Sequence, residues 1–254
     1  MFGLWRTFKA WRARRKPFPA GWDAILQRNL PLLKRLRPED QYVLKRRVLE
    51  FLALHPMEGC AGLTLTDEIR VTIAAQACLL LLRRPGDDFD RLGSILVYPS
   101  GFRATQTERS ANGIEQQREV HTLGQSWQGG NVVLSWDAAR SGAADTRDGH
   151  NVVLHEFAHQ LDQEDGTADG APVLDARGSY GPWARILGAE YARLQGRGKH
   201  VLDRYGATNP AEFFAVATEA FFEKPRQMQN KHPELYIQLA EFFAQDPASW
   251  PEAP

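Results

Sequence analysis

Residues 151–162 read NVVLHEFAHQLD. His155 and His159 stand four apart, with Glu156 beside the first. On a helix that spacing puts both imidazoles on one face, one turn apart, where they can reach a single tetrahedral Zn²⁺. Glu156 lies at the edge of that face, so its carboxylate can meet a water on the ion without ligating the ion itself. Val152, Val153, Leu154, Phe157, Ala158 and Leu161 make the rest of the surface apolar, as a helix buried in mid-fold requires. The alternative, an amphipathic helix with two surface histidines, leaves that apolar surface without a cause.

A catalytic zinc takes three protein ligands and keeps a fourth position for water, so one more donor must come from elsewhere. Residues 205–223, YGATNPAEFFAVATEAFFE, supply two carboxylates, Glu212 and Glu219, two turns apart on one helix face. Either can ligate, and the other can orient a ligand histidine. Of the other histidines, His150 falls off the ligand face, and His121 and His200 stand in strands or loops. Asp162 can orient His159 from the next turn, and the acidic loop with Glu164, Asp165, Asp169 and Asp175 can meet a substrate amine.

Outward from this core, periodicity predicts helices over residues 22–36, 38–54 and 66–83, the last capped by Thr66 with Asp67 and Glu68 in its first turn. Short β-like runs follow at 94–98, around 119–123 and at 132–136, the last after the turn signal Gly129-Gly130-Asn131. A helix capped by Asp148 runs through His155 to about 161, a loop fills 163–182, and helices return at 182–194, 210–222 and 232–245. Helices, a small sheet, then helices make an α+β fold, mainly helical, with a small mixed sheet beside the histidine helix. Residues 1–60 read as an N-terminal helical extension packed on a domain of residues 61–254. The strand at 132–136, last before His155, is the expected edge for a substrate backbone.

The chain has 254 residues, 43% of them hydrophobic and 24% charged, with a formal net charge of zero. That balance calls for no nucleic-acid partner. No apolar run reaches the roughly 18 residues of a membrane span. The basic, aromatic N-terminus MFGLWRTFKAWRARRKPF lacks the continuous apolar core of a secretory signal. The expectation is therefore a cytoplasmic protein whose two cysteines, Cys60 and Cys78, stay reduced. The N-terminus suits a partner groove or an anionic membrane surface, although a solvated, frayed end also accounts for it.

HEFAHQLD followed by YGATNPAEFFA resembles the Mlc titration factor family of bacterial zinc peptidases over most of the chain. In these two blocks alone it is also similar to the catalytic domain of anthrax lethal factor. The resemblance implies a zincin-like metallopeptidase with one Zn²⁺ per chain, Glu212 as third ligand after His155 and His159, and Glu219 behind them. It further implies that Tyr205 assists catalysis beside Glu156, the general base, that the substrates are small peptides cleaved in aminopeptidase fashion, and that a transcriptional repressor of the glucose system can be a partner. A different class of role is also open, a regulator-sequestering protein whose peptidase activity is latent or incidental.

Overall fold

The computed structural model describes residues 2–84, 89–109, 115–126, 130–174, 180–196, 198 and 200–251, with 2–4, 102–109 and 115–122 described by backbone only. In chain order the elements are α1 (Phe2–Arg14), α2 (Ala20–Asn29), α3 (Pro38–Leu54), β1 (Met57–Gly59), α4 (Asp67–Leu80), β2 (Ile95–Tyr98), β3 (Phe102–Arg109), β4 (Glu115–Thr122), β5 (Gly124–Ser126) and β6 (Val132–Ser135). They are followed by α5 (Trp136–Ala144), α6 (Val152–Asp162), α7 (Tyr180–Gln195), α8 (Pro210–Glu223), α9 (Pro225–Lys231) and α10 (Pro233–Phe243). The result is a mainly helical α+β architecture.

The sheet has the order β1-β2-β6-β5. β1, β2 and β6 run parallel, with Ile95 opposite Met57 on one side and Val132 on the other, while β5 runs antiparallel to β6 with Gln125 opposite Val133. β3 and β4 form a separate antiparallel hairpin. This corrects the expected edge. Val132–Ser135 lies between two neighbours and is buried at all four positions, so an unbroken apolar run here marks an inner strand. The edge next to it is β5.

Other boundaries moved for identifiable reasons. The helix expected over 22–36 stops at Asn29, because Pro31 disfavours helical backbone at Leu30, and a 3₁₀ turn, Pro31–Arg35, follows. Trp136 opens α5 instead of closing a strand. The N-terminus is α1, held on α3 by buried Ala10 and Ala13 and by Arg14, whose guanidinium lies 2.7 Å from Glu50. α4 starts at its Thr66 cap, which accepts from the Ile69 N–H at 3.4 Å. Cys60 and Cys78 are unbridged.

α4 and α6 run through the middle of one continuous core. Phe157 of α6 meets Phe51 of α3 at 5.7 Å and Phe89 at 5.0 Å between ring centroids. α8 buries Phe213, Phe214, Phe221 and Phe222, the last two against Phe243 of α10. α6 and α8 therefore lie side by side as packed elements, and whatever projects from their shared edge is held rigidly.

Candidate metal centre

α6 begins at Asn151, whose Oδ1 accepts from the Leu154 N–H at 3.0 Å. The cap is Asn151 and not Asp148, whose Oδ1 instead accepts from the His150 N–H at 2.9 Å. One turn on, the rings of His155 and His159 stand 4.9 Å apart. α8 begins at Asn209 with Pro210 in its first turn, and Asn209 Oδ1 accepts from the Glu212 N–H at 2.9 Å. Both caps satisfy helix donors that would otherwise be left open, and each fixes the turn that carries the polar residues.

Glu212 Oε2 lies 2.9 Å from His155 Nε2 and 3.3 Å from His159 Nε2. Tetrahedral zinc with bonds of about 2.0–2.1 Å sets its ligand atoms roughly 3.3 Å apart, so these three donors fit the ion. Among the described residues, His155, His159 and Glu212 form a group that could hold a metal. Glu219 Oε1 takes the other nitrogen of His155, Nδ1, at 2.8 Å. A proton on Nδ1 leaves the Nε2 lone pair for a metal. The two carboxylates that the sequence left interchangeable thus have different neighbours.

Behind Glu219 the polar contacts continue. Its Oε2 accepts from the Asn151 N–H, and the Asn151 amide donates to Glu223 Oε1 and to the Gly142 carbonyl, each at 3.1 Å. Glu223 is buried, and burial pushes its carboxyl up to about 9, with the charges of Glu219 and Asp148 adding to the effect and the Asn151 hydrogen bond opposing it.

Burial opposes protonation of His155, but hydrogen bonds to Glu212 and Glu219 outweigh it and hold the imidazole well above its ordinary value. Burial likewise acts upward on Glu212, where the two histidines win and pull the carboxyl down. Glu156 is buried beside them and raised by desolvation, so it holds a proton more readily than a surface glutamate. Tyr205, in the 3₁₀ turn Arg204–Ala207, stands with its ring 5.9 Å from that of His155. Partial burial, then the charges of Glu212 and Glu156, push its phenol up to about 12, so it stays protonated as a donor.

An open cleft of about 810 Å³ reaches this group at His155 and Glu156, and Gly124, Asp137, Asp148 and Asp203 are among its other lining residues. Gly124 of the edge strand has no counterpart in the sequence reading. A Cβ there would stand 2.6 Å from Glu156 Oε1 and 2.5 Å from Val152 Cγ2. The available signal was a glycine next to a strand, which marks close approach by another group.

Several expected roles changed. Asp162 lies close enough to feel the charge of His159, but its hydrogen bond goes elsewhere. Its buried Oδ2 accepts from the Gly170 N–H at 3.0 Å, while the Gly170 carbonyl accepts from Trp183 Nε1 at 3.0 Å. A Cβ on Gly170 would meet the Pro210 carbonyl at 2.5 Å. Asp162 thus clasps the loop after α6 against the start of α8. Glu164 accepts from the Phe89 N–H, Asp165 from Thr167 and Asp169 from the Ala171 N–H, so none of the three faces the cleft. Asp175 and the side chain of His121 lie outside the described residues. His150 is exposed near Asp203, 3.7 Å away, and His200 is not in the group.

Residues 5–244 match the model of a family described as glucose-regulated metallo-peptidase M90. The chain is 38% identical over 248 residues to the uncharacterized protein slr2042 of Synechocystis sp., covering 96% of this chain and 90% of that protein. It is 34% identical to Mlc titration factor A of Klebsiella pneumoniae (89% and 86% covered) and 32% identical to Mlc titration factor A of Escherichia fergusonii (96% and 91%).

Proposed function

Because the chain belongs to the glucose-regulated metallo-peptidase M90 family, we propose that it hydrolyses peptide bonds at a zincin-like site where His155, His159 and Glu212 hold one Zn²⁺. The observation that carries this is the convergence of two histidine nitrogens and one carboxylate oxygen within ligand spacing beside a buried glutamate. When bound, zinc supplies a Lewis acid that lowers the pKa of a coordinated water toward about 7. Glu156 is the general base. It takes the proton of the attacking water and returns it to the leaving amine, a dual role suited to a carboxyl whose proton affinity burial has raised. The Tyr205 hydroxyl donates to the developing oxyanion. Glu219 holds His155 in the tautomer that presents Nε2.

The substrate backbone lies along β5, the strand bordering Glu156. Asp137, Asp148 and Asp203 on the cleft wall favour a peptide with a free amino terminus, which supports an aminopeptidase. A cytoplasmic location belongs to the same reading. The relatives' name, Mlc titration factor A, supports a second role, capture of a transcriptional repressor.

The test is hydrolysis of amino-acyl chromogenic substrates by wild type and Glu156→Ala, with zinc measured in both. Wild type should cleave, and the variant should keep its zinc while losing about 10²–10⁴ in rate. If both hold zinc and neither cleaves, repressor capture becomes the leading role. If neither holds zinc, the metal assignment is wrong.

A further inference from the structure

The first 22 residues hold six basic side chains, Arg6, Lys9, Arg12, Arg14, Arg15 and Lys16, and no acid, in a chain whose net charge is zero. α1 carries Arg6, Lys9, Arg12 and Arg14 on a helix with two unlike faces, and Arg15 and Lys16 follow in the turn after it. The inner face seats Ala10 and Ala13, and Arg6 and Arg14 at its borders pair with Asp90 at 3.3 Å and Glu50 at 2.7 Å. The outer face exposes Trp5 (63%), Phe8 (58%) and Trp11 (48%), which recur every three residues and so form one stripe.

Cations sit among these rings. Lys9 Nζ lies 4.9 Å from the Trp5 ring, the Arg15 guanidinium 4.1 Å from the Trp11 ring, and Phe8 stacks on Trp11 at 5.9 Å. Arg12, Arg15 and Lys16 are exposed, and none has an acidic partner among the described residues. The same surface continues onto α3, where Arg46 donates to the Lys16 carbonyl at 3.2 Å and stands 5.7 Å from the ring of exposed Tyr42.

We propose that the outer face of α1 docks the protein on an anionic phospholipid bilayer. An apolar protein groove would cover the rings but strip water from the adjacent guanidinium and ammonium groups without pairing them. A bilayer surface accepts both. Trp and Phe rings settle at headgroup depth while long basic side chains reach lipid phosphates from the same face. The helix is too short and too charged to span a bilayer. Its inner face stays on α3, so docking requires no unfolding.

The experiment is flotation of the full chain with vesicles of phosphatidylcholine alone and of phosphatidylcholine mixed with phosphatidylglycerol. It is run on wild type, on Trp5→Ser/Phe8→Ser/Trp11→Ser and on Arg12→Gln/Arg15→Gln/Lys16→Gln, with thermal melts showing that both variants fold. Wild type should float only with the anionic vesicles and leave them as salt is raised. Neutralising three cations should weaken binding by on the order of a hundredfold, at roughly fivefold per basic residue. Loss of the rings should also abolish flotation. The proposal fails if wild type stays unbound to both vesicles or if the variants float as well as wild type. It fails equally if wild type binds neither vesicle but self-associates in sedimentation while the variants do not, which would make the stripe a protein contact.

Discussion

A methyl group at Gly124 has no room, since Glu156 Oε1 and Val152 Cγ2 already occupy its place. Gly124→Ala must displace either Glu156 or the edge strand, at a cost of about 1–3 kcal/mol typical of overpacking. Turnover is expected to fall at least about tenfold while zinc content is unchanged, readable from kcat beside metal analysis. Glu223 makes a second prediction at this scale. Burial raises its carboxyl to about 9 in the folded chain, against about 4.3 when unfolded. The folded state therefore holds a proton that the unfolded state releases, and the resulting stability is full below about pH 4.3 and lost as pH climbs toward 9. Glu223→Gln removes that loss, so its melting temperature should exceed that of wild type by a margin that widens between pH 5 and 9. Equal pH profiles would show that Glu223 is not buried protonated. His155, Glu156 and His159 were legible as a group because one helix period relates them. Glu212 and Glu219 share a face, so spacing cannot say which turns to Nε2 and which to Nδ1. Gly124 and Glu223 act across tertiary contacts, which leave no local pattern.

Two asparagines set the ends of α6 and α8, and Asn151 also joins the two helices through Glu219 and Glu223. Asn151→Ala removes a helix cap, about 1 kcal/mol, and strips the Glu223 carboxyl and the Gly142 carbonyl of a buried partner, about 1–3 kcal/mol more. Urea unfolding should show a loss of about 2–4 kcal/mol by these figures. A loss below about 0.5 kcal/mol would mean that the junction is not a shared support. Helices with strong caps or long apolar faces were readable: α3 and α4 came out nearly as expected because Pro38, Pro56 and Thr66 mark their ends. β1, β3, β5, α5 and α9 were missed: β1, β5 and α9 have three, three and seven residues, too few for a period to register, while β3 and α5 lack a clear apolar period. The cap was read at Asp148, and the path of Gly149 and His150 moves it to Asn151.

The core does not divide at residue 60. Phe51 packs on Phe157 of the ligand helix, and β1 pairs with β2, so residues 1–60 and 61–254 should melt together as one cooperative unit. His55, at the end of α3, lies in that junction. Burial, then the charge of Arg6, lowers its pKa to about 3, below its unfolded value near 6.5. Stability is thus full above about pH 6.5 and drains away as pH falls toward 3. Circular dichroism and tryptophan fluorescence should report one coincident transition whose midpoint drops over that range. Two separated transitions would give residues 1–60 an independence the core does not favour. Class and layer order were legible at this scale, because helical periods bracket a few β-like runs, but the strand order was not, since pairing depends on residues far apart in the chain.

β5 borders the cleft and is only three residues long. Brevity at a sheet edge limits what can add to it: a short peptide finds enough backbone partners, whereas another molecule's full strand does not. The same short edge that suits a transient guest is thereby a poor seed for polymerising one copy of the protein onto the next.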